Sequence, residues 1–388
     1  MHDVVIVGGG PAGATAAYLL KLQNLDVVVI DKSTFPRPKL CGGLITYKTL
    51  QLLRRVYGET LETLQKKHII EYVANSYEIK IGNRPFASSA ADPPFVLVDR
   101  SVYDAYLLDR AKEIGVTVME GDPVTHIDPS NRQVLTSSGR VLQARFILGA
   151  DGVNSRVRQC LPETRFNQKR WKSNLGAGLE VFIPRSDLEA EIKSPAICFG
   201  WVNWGYAWIF PNRERVVVGL GGLARHNKSM KKSLQALVSS LGNIKGPLPQ
   251  PFGHPVPYGN FLSSPAFGSI LLLGDAAGLV DPFLGEGIYY AQRSAELAAR
   301  CIQEEMHDGD CVEVTYPPIL QGSMLGKFTF MKRWRWALFG LSANVSYFPL
   351  RLFLRVLGTG RAYELVQGSR SSGWLGKRLA IDDETSIY

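Results

Sequence analysis

The 388-residue sequence predicts an α/β protein in three parts: a parallel-sheet domain with helices on both faces, an antiparallel β-sheet domain made from two inserts, and a helical C-terminal segment. Three observations predict this. The chain opens on a strand, a glycine turn, a helix and a second strand ending in an acid. A second strand–loop–helix unit recurs near residue 270. Between them lie stretches that alternate apolar and polar residues, as half-buried strands do.

The opening stretch is DVVIVGGGPAGATAAYLL, from Asp3 to Leu20, followed by VVVIDKS from Val27 to Ser33. Asp3 to Val7 reads as a buried strand and Ala14 to Leu22 as a helix. Gly8 permits the tight turn, Gly10 leaves room for a pyrophosphate, and Gly13 lets the helix pack on the strand. Pro11 and Ala12 lie within the turn, and the free N–H groups of the helix N-terminus face the phosphates. Asp31 ends the second strand, where a carboxylate accepts hydrogen bonds from a ribose diol, and Lys32 follows it. The order of these pieces predicts a Rossmann-like dinucleotide site.

The second unit, SILLLGDAAGLVDPFLGEGIYYAQRSAELAAR, runs from Ser269 to Arg300. Ile270 to Leu273 reads as a buried strand and Ile288 to Arg300 as a helix with one apolar face. Pro282 and Gly285-Glu286-Gly287 constrain the loop between them, and its backbone N–H groups are free for an anion or a flavin ring. Asp275 is placed to bind a ribitol or to orient water near a pyrophosphate. In ARFILGADGVNSRVR, from Ala144 to Arg158, Asp151 and Asn154 are expected to cap the helix that follows. Arg100 opens a helix over Ser101 to Lys112. A cation there opposes the helix dipole unless an anion is nearby, so it either serves such an anion or is a surface arginine.

These four pieces resemble the FAD-dependent family that includes p-hydroxybenzoate hydroxylase. The resemblance implies a Rossmann-like FAD-binding domain of that type with a substrate domain over it. Gly8, Gly10, Pro11, Ala12 and Gly13 would lie at the pyrophosphate and Asp31 and Lys32 at the adenosine ribose. Arg100 and Val124 would lie beside the cofactor, Asp275 near the pyrophosphate and ribitol, and Gly285, Gly287 and Ile288 beside the isoalloxazine. The FAD-binding domain is read as residues 1–67, 99–165 and 259–319, the substrate domain as inserts 68–98 and 166–258, and the helical basic-aromatic region as 320–388.

Two further stretches resemble the geranylgeranyl reductase branch: Lys39-Leu40-Cys41-Gly42-Gly43 and Tyr206-Ala207-Trp208-Ile209-Phe210-Pro211. The resemblance implies reduction of isolated C=C bonds in isoprenoid chains, with the cysteine loop approaching the flavin and the aromatic residues lining the prenyl cavity. Cys41, Tyr206 and Trp208 are therefore the candidate catalytic residues, and Cys41, Gly42 and Gly43 also join the cofactor set. The residues themselves leave choices open. Tyr206, Trp208 and Phe210 alternate on one strand face and either wall a cavity or pack in a core. Cys41 is a small buried hydrophobe, a redox-sensitive thiol or a proton donor. Gly42 and Gly43 point to close approach of the cofactor. His226 and His254 are not read as catalytic; the first sits in a solvated turn, and the second in a Pro-rich return to the FAD domain.

Strands are expected over Ala177 to Ile183 and Glu214 to Leu220, and a helix over Asn227 to Leu241. No second dinucleotide fingerprint occurs, so the reductant is either NAD(P)H visiting transiently or an electron-donor protein such as ferredoxin. An FAD monooxygenase using NAD(P)H and oxygen is the rival reading, and a flavoprotein holding FAD for structure is another.

Composition is that of a globular protein, with 45% hydrophobic and 20% charged residues. The five cysteines form neither a CxxC pair nor a metal-like cluster. The first strand starts at once, so no signal peptide is expected, and no uncharged apolar run approaches the roughly 20 residues that span a bilayer. The expected location is the cytoplasm, with peripheral contact at a membrane surface. Of the net charge of +9, six units fall from Leu320 onward, where ten Lys and Arg face four Asp and Glu. From Lys327 to Gly360 this tail mixes Phe and Trp with Lys and Arg in two helical parts broken near Pro349. Such a segment either lies in a lipid headgroup layer or packs on its own domains. Its bulky aliphatics and lack of a recognition motif argue against nucleic acid.

Overall fold

The computed structural model describes residues 1–309, 311–340 and 347–368. It contains two eight-stranded sheets. In the first, His2–Val7 lies between Val27–Ile30 and Val141–Gly149, parallel to both, with Val4 opposite Val27 and Phe146. Thr117–Met119 extends the sheet on one side and Ile270–Leu272 on the other. Val27 to Ile30 are all buried, because helices cover both faces of the sheet. The helix Pro11–Leu22 starts on a proline, whose fixed φ suits a first helical turn. Its Ala14, Ala16 and Ala17 are fully buried, so Arg100–Glu113 and Ile288–Asp308 pack closely on it.

The second sheet runs in the order Phe252–Val256, Gly176–Pro184, Arg215–Leu223, Gly205–Pro211, Ala196–Phe199, Ile70–Ile81, Arg84–Val98, Leu44–Ile45. It is antiparallel with one exception: Ala196–Phe199 runs parallel to Ile70–Ile81 where the two inserts meet. Leu44–Ile45, within the segment read as FAD-binding, pairs with Arg84–Val98 and so belongs to this sheet. His254 lies on an edge strand of the same sheet, Phe252–Val256, the last strand before the chain re-enters the first domain. Met230–Ser239 packs on one sheet face, where Ala207 and Ile209 point. The other face of Gly205–Pro211 carries Tyr206, Trp208 and Phe210 and turns toward the first domain.

The C-terminal region carries Val312–Leu320, Gly326–Arg335, Phe348–Leu357 and Thr359–Gln367; the second and third are the two helical parts expected between Lys327 and Gly360. Wider π turns, Gln321–Leu325 and Trp336–Gly340, follow the first two. Pro349 sits in the first turn of the third helix, where a proline needs no N–H partner. Arg335, buried, donates to the carbonyls of Tyr258 at 2.9 Å and Pro282 at 3.1 Å and ties this region to both domains. Residues 341–346 and 369–388 of the basic-aromatic region lie outside the described residues. Among the described residues no helix is long and apolar enough to cross a membrane.

Candidate functional site

One cavity of about 980 Å³ runs between the two sheets and reaches the C-terminal helices. All the sequence-selected residues except Gly13 border it: Gly8, Gly10, Pro11, Ala12, Asp31, Lys32, Cys41, Gly42, Gly43, Arg100, Val124, Tyr206, Trp208, Asp275, Gly285, Gly287 and Ile288.

At the glycine turn the three positions do different work. Gly8 has φ +107°, and a Cβ there would lie 2.4 Å from the Ala150 carbonyl oxygen. A Cβ on Gly13 would lie 1.8 Å from the Gly8 oxygen, so this position joins helix to strand. A Cβ on Gly10 would meet only Arg37 Nη2, at 3.4 Å. Gly10 therefore opens onto the cavity. Asp31 accepts from the Gly9 amide at 2.7 Å and the Ser33 amide at 2.8 Å, which locks the turn against the end of the second strand.

Arg100 does not wait for an outside anion. Its guanidinium donates to Asp104, one turn along its own helix, at 2.7 and 2.9 Å, and Asp99 caps that helix through the Ser101 amide at 2.8 Å. Arg37, which the sequence reading passed over, shares Asp104 at 3.1 Å. Its Nη1 is buried with no hydrogen-bond partner. Asp151 caps as expected, taking the Arg156 amide at 2.7 Å, but the second cap is Ser155 Oγ, not Asn154. Asn154 borders the cavity instead. Asp151 Oδ1 is also buried without a partner, and burial raises this carboxyl above its ordinary range. Arg158 links the two acidic turns, donating to the carbonyls of Val153 and Ala276 while stacking 3.9 Å from the Trp171 ring centroid.

The loop before Ile288–Asp308 is held by acids. Asp281, fully buried, accepts the Phe283 and Leu284 amides at 2.8 and 2.9 Å. Glu286 pairs with Lys48 Nζ at 2.5 Å and accepts from Thr46 at 2.6 Å. This leaves the Gly285–Ile288 backbone facing the cavity.

On the opposite wall, Trp208 lies across the backbone of Gly219 and Gly221, whose Cβ atoms would fall 2.5 and 3.3 Å from its ring. Tyr206 donates its hydroxyl to the Leu284 carbonyl and so ties this strand to the Gly285 loop. Gly42 and Gly43 border the cavity and are also required by packing. A Cβ on Gly42 would strike the Phe210 ring at 2.7 Å, and one on Gly43 would strike the Val98 oxygen at 2.1 Å. These glycines let the cysteine loop pass under the aromatic wall. Cys41 Sγ accepts the Gly43 amide at 3.4 Å and lies beside the Arg100 guanidinium.

Two titratable residues on this wall were not among the expected site residues: Glu180 was not singled out, and His254 was set aside. Glu180 is 1% exposed and accepts the Trp208 indole N–H at 3.1 Å. Burial pushes its carboxyl up to about 7. His254 accepts from Lys39 Nζ at 2.6 Å; burial and that ammonium hold it down to about 4, so it is neutral at pH 7. Neither lies in a motif, and only the pairing of the strands Gly176–Pro184 and Phe252–Val256 brings both to the cavity.

The far end of the cavity is apolar. Phe95 and Phe199 from the second sheet meet Leu338, Leu350, Leu354 and Tyr363 from the C-terminal helices.

The cavity therefore has an end fit for an extended dinucleotide. Gly10 is open, and a buried guanidinium nitrogen and a buried carboxylate oxygen there lack partners, as a pyrophosphate and its hydroxyl-bearing neighbours require. Comparison with known proteins agrees. A model of the FAD binding domain matches residues 1–188. The chain is 32% identical over 312 residues to an uncharacterized protein of Methanosarcina barkeri, covering 79% of this chain and 76% of that one. It is 28% identical to a menaquinone reductase of Mycolicibacterium smegmatis (85% and 83% covered). It is 26% identical to a geranylgeranyl diphosphate reductase of Synechocystis (80% and 77% covered). A solved geranylgeranyl bacteriochlorophyll reductase-like protein from Thermoplasma acidophilum shares the fold, with TM-score 0.68, 21% identity, and 94% and 90% of the two chains covered.

Proposed function

The chain belongs to the geranylgeranyl reductase family of FAD-dependent oxidoreductases, and on that premise we propose that it saturates isolated C=C bonds in a geranylgeranyl-type isoprenoid chain carried by a lipid. The observation that supports this reading is the continuity of the cavity. It runs from Gly10, past Cys41 and Trp208, into the apolar end walled by Phe199, Leu338, Leu350 and Leu354, a shape suited to a long unsaturated chain lying end-on to a flavin.

Bound FAD, once reduced, supplies the hydride. The chain's own residues do the rest. Gly10 and Arg37 receive the pyrophosphate, and the Gly285–Ile288 backbone bounds the ring site. Tyr206, by holding the Leu284 carbonyl, keeps that loop and the aromatic strand at a set separation. Trp208 and Phe210 hold an alkene by flat contact and exclude water; an isolated alkene offers no carbonyl to polarise, so position and dryness carry the rate. Cys41 bounds the same space. Electrons come from NAD(P)H or from a ferredoxin-like donor protein docking transiently.

Substrate reaches the cavity from an anionic lipid surface. The helix Phe348–Leu357 faces two ways. Leu350 and Leu354 turn inward to the cavity. Phe348, Leu352 and Val356, at 63, 50 and 75% exposure, line its outer side one turn apart, with Arg351 and Arg355 exposed beside them. An apolar stripe edged by arginines matches an anionic headgroup layer in chemistry and charge.

Anaerobic turnover tests the reading. The holoprotein is reduced with dithionite and mixed with a geranylgeranyl lipid, and flavin reoxidation is followed beside product mass. Reoxidation with a gain of two hydrogens per turnover is expected. Reoxidation only on admitting oxygen, with a gain of one oxygen, would make it a monooxygenase instead.

A further inference from the structure

Glu180 sits on Gly176–Pro184, on the wall that faces the alkene path, and nothing in its immediate sequence marks it. Its Oε1 takes the Trp208 N–H, while Oε2 is buried, without a hydrogen-bond partner, in a side chain that borders the cavity. The pocket it occupies is made by omission. A Cβ at Gly219 would lie 2.6 Å from Glu180 Cγ and 2.5 Å from the Trp208 ring, so only glycine there lets acid and indole lie side by side. A buried carboxyl with one oxygen unpaired costs free energy and has to be explained.

We infer that Glu180 is the acid that delivers the proton to the alkene. The inference rests on the reductase reading above. The balance is simple. One alkene carbon receives a hydrogen with its electron pair from the reduced flavin. The π bond breaks, and its pair forms a C–H bond at the other carbon with the proton of the Glu180 O–H. That O–H bond breaks heterolytically and leaves a carboxylate, which the Trp208 N–H stabilises and solvent later reprotonates.

The surroundings support this role. Burial raises the carboxyl to about 7, so about half of it holds its proton at pH 7, against the opposing pull of the Trp208 hydrogen bond, the nearby Cys41 backbone amide, and the charges of Lys39 and Arg100. His254, on the neighbouring strand, is neutral and adds no charge. Lys39, Cys41 and Tyr206 also border the cavity and carry protons; Lys39 gives one of its three N–H groups to His254, and the Lys39 variant below separates it from Glu180.

The test compares wild-type, Glu180→Gln and Lys39→Met holoproteins. Glutamine keeps the acceptor for Trp208 and the neutral charge, so FAD content and melting at pH 5 are expected to match wild type. Infrared difference spectra of wild type between pH 5 and 9 are expected to show a protonated carboxyl band that titrates near neutral pH and is missing in Glu180→Gln. Reoxidation of the dithionite-reduced protein by a geranylgeranyl lipid is expected to slow by about 10²–10⁴-fold in Glu180→Gln, the range for a lost general acid, and to lose its alkaline fall. Lys39→Met is expected to keep that fall. A Glu180 carboxyl ionised throughout the range, or a Glu180→Gln protein that reoxidises at the wild-type rate, overturns the assignment and leaves the reductase reading standing. Wild-type protein that reduces no alkene overturns the reductase reading, and the acid role with it.

Discussion

Asp104 takes both the Nε and the Nη2 hydrogens of Arg100, at 2.7 and 2.9 Å, and its Oδ2, which accepts the second of these, also holds Arg37 at 3.1 Å. It is fully buried, so one carboxylate serves two guanidinium groups beside the cavity. Removing it leaves two like charges without their anion. Asp104→Ala is expected to lower the unfolding free energy by about 3–5 kcal/mol, the usual result of stripping one partner from a buried ion pair. Denaturant unfolding of the purified protein reads this directly, and Asp104→Asn is expected to lose less.

The glycine turn separates cofactor binding from folding. Gly10→Val is expected to fold but to weaken FAD binding more than about tenfold, equivalent to about 1.4 kcal/mol, because its side chain enters the open space before the helix. Gly13→Ala is expected to fail earlier, since its methyl would overlap the Gly8 carbonyl. Soluble yield and flavin absorbance together distinguish the two.

Glu180 also makes stability depend on pH. Its folded-state carboxyl is raised from 4.5 to about 7, so the folded protein holds a proton that the unfolded chain has released. The stabilisation is therefore full below about pH 4.5 and lost as pH rises through 7, a change of about 3 kcal/mol for this group. Glu180→Gln is expected to flatten that fall, and the difference between the two proteins' unfolding free energies at pH 5 and pH 8 measures it.

Tyr206→Phe removes the hydroxyl that holds the Leu284 carbonyl. The expected cost is about 1 kcal/mol, with faster amide exchange over Leu284 to Gly287 and FAD retained. Unchanged exchange would remove Tyr206 from any role in setting the loop.

Replacing Phe348, Leu352 and Val356 together by serine is expected to abolish flotation with phosphatidylglycerol vesicles while leaving FAD content unchanged. Wild-type protein is expected to float with these vesicles and, lacking the charge attraction, much less with phosphatidylcholine. Equal binding by wild type and variant would end the claim that this face docks on lipid.

The sequence by itself determined what neighbouring residues decide by local sterics. The strand, Gly8–Gly13 turn, helix and Asp31 were legible because each glycine answers to an atom a few bonds or one strand away. The alternation of Tyr206, Trp208 and Phe210 was legible because strand side chains point to opposite faces in turn. What Arg100 pairs with, what Gly42 and Gly43 pack against, and where Glu180, His254 and Arg37 lie were decided only by the tertiary structure. Each depends on residues far along the chain: Glu180 on Gly219 and Trp208, His254 on Lys39, and Gly42 on Phe210. The same holds for the C-terminal helices, whose composition suited either lipid or protein until packing turned Leu350 and Leu354 inward and left Phe348, Leu352 and Val356 outside. Burial and the absence of a hydrogen-bond partner are properties of a packed interior, and they exist only once distant segments have met.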